Sequence, residues 1–189
     1  KGHNLGIHPN FLPGSSQGEK PADIVNYLIN LIPKATCIRT HSLFQSSPLF
    51  EEIFSIKSSL LYDFSLFTPG IGLQKKILWQ NDNVKFWRLN YQWEDDCCFH
   101  SPNYSWEKIG LEHSNNIINF HPIHVYLNSK NGLNYKLLKS RLNGKDLQNA
   151  DKSHFEGIIN DKQGVRNALF NVINSGNCIN FEDLLCELE

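Results

Sequence analysis

No methionine occurs at any position, position 1 included, and Lys1-Gly2-His3-Asn4 runs almost directly into an apolar segment with no leader. Two readings follow: the later part of a longer chain, or a processed N-terminus. An excess of one charge is missing as well. Lysine and arginine total 18 against 19 acidic residues, for a formal charge of −1. That balance excludes the basic footprint of a nucleic-acid binder, and there is neither an acidic tail nor a polybasic anchor. Long apolar runs are also lacking. The stretch at residues 24–32 is broken by Asn26 and Asn30 and falls well short of the roughly 20 residues that span a bilayer. A soluble protein without a membrane span is expected.

Cysteine is scarce and badly spaced for chemistry. The five residues at 37, 97, 98, 178 and 186 are odd in number and form no Cys-x-x-Cys pair. Neither a disulfide framework nor a cysteine zinc site is supported, which favours the reducing cytoplasm. Phosphate loops, nucleophile elbows and dinucleotide fingerprints are absent, and those enzyme classes drop out. The triplet Asn103-Tyr104-Ser105 matches a glycosylation acceptor, but such triplets are frequent by chance.

What the sequence does have is a hydrophobic content of 40% over 189 residues, enough for a real core. No repeat or linker interrupts it, so one domain over residues 1–189 is expected. Short apolar runs at residues 5–7, 35–38, 59–62, 84–89 and 117–120 read as strands. Helices are expected at residues 21–32, with Pro21 in the first turn, from Ser47-Pro48 onward, and at residues 162–173 and 181–187. Strands alternating with helices favour an α/β architecture over a sandwich or bundle.

The residue after each run carries the chemistry. The runs lead to His8, to Arg39-Thr40-His41, to Asp63, to Trp93-Glu94-Asp95-Asp96 and to His121-Pro122. In a parallel barrel the C-terminal strand ends share one mouth, so these distant residues would meet there. A lone histidine after a strand is more often a loop residue than a ligand, and it is the recurrence that raises the functional reading. His8 and His41 are the best metal candidates, because imidazole suits zinc and similar ions and two such groups need a third ligand. Arg39 is either a surface charge or a clamp for an active-site carboxylate. Glu94, Asp95 and Asp96 are a solvated loop or, beside Trp93, a group that orients an imidazole and meets a sugar. The aromatics Phe44, Trp93, Tyr104 and Trp106 could stack on sugar faces, although most aromatics are core. His3, His100, His113 and His154 lack strand-end placement and read as structural or surface residues. So does His124, the nearest of these to a substrate-binding role.

At His8, His41 and His121 the sequence resembles the polysaccharide deacetylases, the NodB-like domains of carbohydrate esterase family four. Asn4-Leu5-Gly6-Ile7-His8-Pro9 resembles that family's second motif, with its glycine and first metal-binding histidine. Arg39-Thr40-His41 is similar to the arginine-containing third motif, Tyr62-Asp63-Phe64-Ser65 to a common Tyr-Asp-Ser-Ser segment, and Phe120-His121-Pro122 to the fifth motif with its catalytic histidine. The likeness covers most of residues 4–128 and looks closest to divergent members associated with surface-polysaccharide biosynthesis.

The resemblance implies a (β/α) barrel and a divalent metal, zinc first, with His8 as a ligand; His41, a metal candidate by its strand-end placement, is taken as the substitute for the motif's second histidine. It implies hydrolysis of an N-acetyl or related acyl group on a sugar. His121 would protonate the leaving amine, Asp95 would orient His121, and Arg39 would restrain the catalytic base. From the residues themselves, Trp93, Glu94 and His124 are assigned to meet the carbohydrate. Two departures stand out. Leu12 occupies the place of the second motif's other histidine, and the family's aspartate pair would fall before residue 1. Five strands are also fewer than the roughly seven or eight of a closed barrel, so the barrel is expected to be incomplete at the N-terminus. The competing reading is a carbohydrate-binding or scaffold barrel derived from a deacetylase and lacking turnover. Another metal-dependent barrel hydrolase would usually show more metal-ligand histidines, often as His-x-His.

Overall fold

The computed structural model describes residues 3–100, 109, 116–145 and 147–188. In chain order the helices are α1 (Pro21–Leu31), α2 (Ser47–Ile56), α3 (Cys97–His100), α4 (Pro122–Leu127), α5 (Leu133–Leu142), α6 (Lys152–Phe155), α7 (Val165–Asn174) and α8 (Phe181–Glu187). The strands are β1 (Cys37–Ile38), β2 (Tyr62–Phe67), β3 (Ile77–Gln80), β4 (Lys85–Tyr91), β5 (Trp93–Glu94) and β6 (Ile118–Asn119). They fall into two units, Lys1–Gln92 with Ile179–Glu189, and Trp93–Cys178.

The first unit is built on a four-stranded sheet in the order β1-β2-β4-β3. β1, β2 and β4 run parallel, and β3 closes a hairpin antiparallel to β4. The segment before His8 joins by a single parallel bridge, Ile7 to Ile38. Gly6 is required there, because a Cβ at this position would lie 2.9 Å from the Cys37 carbonyl oxygen. Helix α1 starts at Pro21, where a missing N–H costs nothing, and buries Ile24, Val25 and Leu28. Helix α2 is capped by Ser46, whose Oγ accepts from Leu49 N at 3.3 Å, and buries Leu49, Phe50, Ile53 and Phe54. Phe54 stacks on Phe86 of β4 at 3.8 Å, which fastens the helix to the sheet. Helix α8 packs Phe181 against Tyr62 and Phe64 of β2, and Asn4 Nδ2 donates to Glu182 Oε1 at 2.7 Å.

Two strands differ from the sequence expectation. β2 begins where its run was expected to end, so Asp63 lies inside the strand rather than beyond it. The cause is a polar face: Asp63 and Ser65 alternate inward and are fully buried, and hydrogen bonds rather than apolar contacts keep them there. β3 was not anticipated, because Ile77-Leu78-Trp79 is too short a run. Its turn is marked by Asn81, whose Oδ1 accepts from Asn83 N and Val84 N, each at 2.9 Å.

The second unit contains the parallel pair β5–β6 and helices α3 to α7. Trp93, Ile109 and Ala168 form one core cluster, and Leu127, Leu138, Leu142 and Ile158 another. Asn128 ends α4 in the left-handed conformation at φ 48° and is buried. Its Nδ2 donates to the carbonyls of Asn160 and Lys162, at 3.1 and 2.7 Å, and its Oδ1 accepts from Arg166 N at 3.0 Å. Residues 160–164 are thereby wrapped round Asn128, and α7 starts at Val165 rather than at 162. Among the described residues the strands form one four-stranded and one two-stranded sheet. The α/β expectation holds, and closure into a barrel is not seen. No described helix is long and apolar enough to cross a membrane.

Gly164 is the tightest point of this wrap, because a Cβ there would lie 2.3 Å from the Asn128 carbonyl oxygen and 2.8 Å from that of Ser129. Backbone atoms cannot swing aside as a side chain could. We expect Gly164→Ala to destabilise the protein by roughly 1–3 kcal/mol, read as a lower urea midpoint by circular dichroism. An unchanged midpoint would contradict this packing.

Candidate active site

In the first unit His8 and His41 come together. Ile7 and Ile38 bridge in parallel, so the residues that follow them leave the sheet side by side. His8 Nδ1 donates to the Arg39 carbonyl at 2.6 Å, and the proton this bond needs leaves Nε2 as the basic nitrogen. That Nε2 lies 3.4 Å from His41 Nδ1, with both residues exposed. Two imidazole nitrogens sharing one tetrahedral ion, each about 2.0–2.1 Å from it, would be about 3.4 Å apart. The donor set and its spacing therefore fit two ligands of a zinc-like ion. Catalytic zinc sites use three protein ligands, and the described residues do not supply the third next to this pair.

A buried polar network holds the His41 loop. Arg88 Nε donates to Asp63 Oδ2 at 2.8 Å, and Asp63 Oδ1 accepts from Ser65 N at 2.9 Å. Ser65 Oγ accepts from Thr40 N at 2.9 Å, while Gln45 is bonded to both the Ser65 carbonyl and Arg88. Burial pushes the Asp63 carboxyl up, against the pull of Ser65 and Arg88. Between these anchors Ser42 and Leu43 take positive φ of 52° and 53°, a conformation such residues adopt only when their surroundings impose it. Arg39, expected to clamp a carboxylate, directs its NH2 to the Tyr91 hydroxyl at 3.1 Å and lies over that ring at 5.0 Å. Tyr91, Arg88 and Gln45 carried no sequence signal, because each acts from a position that reads as ordinary strand or loop.

In the second unit Asp95 and His121 form a dyad. The β5–β6 register pairs Glu94 with Asn119, which places the residues just past both strands together. Asp95 is fully buried, and both its oxygens engage His121: Oδ1 accepts from Nδ1 at 2.5 Å and Oδ2 from the backbone N at 2.9 Å. The ring is thereby fixed with Nδ1 inward and Nε2 as the outward nitrogen, the arrangement of an oriented acid or base. Asp96 Oδ1 lies 3.2 Å from the same Nδ1 and 3.3 Å from His124 Nε2.

The charges follow from this geometry. Burial opposes charge on His121, but Asp95 and Asp96 outweigh it and push the imidazole up to about 10. Burial pushes Asp95 up, while contacts with His121 and His124 overcome burial at Asp96 and hold it well below the carboxylate range. The rise at both Asp95 and His121 describes a pair that keeps one proton between them. With His121 raised above its usual 6.5, the charged pair contributes stability that is complete below about 6.5 and lost as pH rises through about 10. Asp95, Asp96 and His121 are also close enough to surround an ion. Both Asp95 oxygens are already bonded to His121, which favours the protonated dyad over a metal. Burial lifts Cys97 to about 11 and Cys98 to about 12, so neither is a thiolate nucleophile at neutral pH.

The remaining sequence candidates are placed as follows. Trp93 and His124 are each only 6% exposed: Trp93 packs on Phe120 in the core, and His124 sits between Phe99 and Tyr135. Both are small targets for a sugar. Glu94 is half-buried and accepts from Asn119 Nδ2 at 3.4 Å. Phe44 is exposed. His154 closes a capping box with Asp151 at the start of α6, a structural role. Tyr104, Trp106, His113 and the triplet at residue 103 lie outside the described residues.

Residues 1–139 match the family of WbmS-like polysaccharide deacetylases. No curated protein matches the chain. Among solved structures it is similar to a proposed polysaccharide deacetylase involved in O-antigen biosynthesis from Bordetella bronchiseptica. The TM-score is 0.66 at 26% identity, over 91% of this chain and 69% of that one. A histidine pair spaced like metal ligands, a buried Asp–His dyad and a family match over residues 1–139 converge on one conclusion: the chain belongs to the WbmS-like polysaccharide deacetylases.

Proposed function

We propose that the protein is a metal-dependent carbohydrate deacetylase that hydrolyses an N-acetyl or related acyl group on a sugar of a surface-polysaccharide precursor. The Asp95–His121 dyad is the observation that carries this reading, because one buried carboxylate accepts from both the backbone N–H and the ring Nδ1 of His121 and so holds the imidazole in one orientation. Residues 1–189 are read as part of one deacetylase barrel working in the cytoplasm.

His8 and His41 would hold the ion, zinc first, with the Arg39 carbonyl orienting His8. An ion bound there supplies polarisation of the acyl carbonyl and an acidified water. His121 does the chain's own proton chemistry. Held protonated by Asp95 and Asp96, it would donate from Nε2 to the leaving nitrogen as the C–N bond breaks; the acyl carbon gains its C–O bond from water, a base takes the proton that water loses, and the products are an amine and a carboxylate. Asp95 keeps the ring in that tautomer. Arg39, stacked on Tyr91, would steady the strand end that carries the metal pair, and Glu94, half-buried beside Asp95, would accept from a sugar hydroxyl.

Two outcomes are expected. His8→Ala and His41→Ala should each lower bound zinc measured by elemental analysis, while His154→Ala should not, since only the first two remove a ligand. Unchanged zinc in both would reject the metal pair. His121→Ala should reduce kcat on an N-acetylated oligosaccharide by about 10²- to 10⁴-fold with zinc content unchanged and KM moved much less. A carbohydrate-binding barrel without turnover would instead bind the oligosaccharide and release no acetate in any variant.

A further inference from the structure

We propose that His124 is a positioning residue that anchors Asp96 against His121, so that two carboxylates rather than one face the proton-donating imidazole. The proposal rests on the reading of His121 as the proton donor. His124 is buried, and its ring is gripped edge-on by Phe99 at 4.8 Å and Tyr135 at 5.2 Å. One ring nitrogen, Nδ1, lies 3.3 Å from the fully buried Ser129 Oγ. The other, Nε2, lies 3.3 Å from Asp96 Oδ1. With its proton on Nε2 the imidazole turns that N–H side to Asp96 at ion-pair distance, without a hydrogen bond of good geometry, and accepts from the Ser129 hydroxyl, so one tautomer serves both contacts.

Asp96 needs such an anchor. It lies between β5 and α3 with its side chain 44% exposed, so water competes for the carboxylate. Its Oδ1 is nevertheless buried, between His121 Nδ1 at 3.2 Å and His124 Nε2 at 3.3 Å. That oxygen has no hydrogen-bond partner among the described residues, so the electrostatic pull of the two imidazoles is what keeps it turned inward. The anchor is itself braced. Ser129 N donates to the His124 carbonyl at 3.0 Å, and the Ser129 carbonyl accepts from Val165 N at 3.1 Å. The wrap of Asn128 and Gly164 thus continues through Ser129 and His124 to Asp96 and His121.

The groups that face the two imidazoles among the described residues of this unit can be named. His121 meets Asp95, Asp96 and, at 5.8 Å between ring centres, His124. His124 meets Asp96, Ser129 and Tyr135, whose ring lies under Lys139 Nζ at 5.8 Å. Asp96 is therefore the one anion common to both.

The test follows the His121 imidazole by NMR titration and the pH profile of kcat on the intact, zinc-loaded protein. His124→Ala should lower the His121 midpoint by about one pH unit and move the falling limb of kcat by the same amount, with zinc content unchanged. His124→Gln keeps an Nε2 donor for Asp96 and should recover most of that shift. In a double-mutant cycle, His124→Ala should have little further effect once Asp96→Asn is in place. If His124→Ala does not fold, the cycle of Ser129→Ala with Asp96→Asn reads the same coupling through the brace on His124. A midpoint unmoved by His124→Ala, or full additivity with Asp96→Asn, overturns the proposal. A wild-type His121 midpoint at or below the usual value is a different result, and it overturns the proton-donor reading instead.

Discussion

The Asp95 carboxylate is fully buried, and both of its oxygens are used by one residue, His121. Placing a carboxylate where water cannot reach it is tolerable only when its acceptors are filled, and two bonds from His121 fill them. The consequence reaches outward from there. The backbone bond fixes where His121 leaves β6, and the ring bond fixes Nδ1 on Asp95, which turns Nε2 away from that carboxylate. Asp96 adds charge without adding a second constraint on the ring. Removing Asp95 would therefore unseat the residue as well as its charge.

The first unit solves a similar problem with different parts. Its buried carboxylate, Asp63, is matched by Arg88 and by the Ser65 amide, and the bonds that leave this pair run to the loop carrying His41. Two positive φ values at Ser42 and Leu43 are tolerated because the loop is anchored on both sides. In each unit a polar residue inside the fold orients a histidine at the end of a strand. Catalytic groups need their geometry imposed by neighbours rather than chosen by solvent.

Much of this is legible in the sequence. Helix α8 was bounded from its pattern at residues 181–187, and α1 and α2 from Pro21 and from Ser47-Pro48, because a capped apolar face is local information. His8, His41 and His121 stood out because they recur after apolar runs. What the sequence could not reveal was non-local. Asp63 and Ser65 look like the end of a strand until Arg88 and Thr40 arrive from elsewhere in the chain. Trp93 looks like a sugar platform until Phe120 covers it. His124 carries no motif, and its role emerges only when Ser129 and Asp96 are seen on its two nitrogens. The late start of α7 was hidden for the same reason, since Asn128 claims the residues that the pattern assigned to the helix.

The account stands or falls on whether the Asp95–His121 pair supplies the proton. The most direct measurement is the pH dependence of kcat for deacetylation, compared between the wild-type protein and Asp95→Asn. The geometry calls for a wild-type rate that holds through neutral pH and declines only as His121 loses its proton, toward about 10. In Asp95→Asn the decline should come at distinctly lower pH and from a lower plateau. A falling limb at the same pH in both proteins, with equal plateaus, would contradict it.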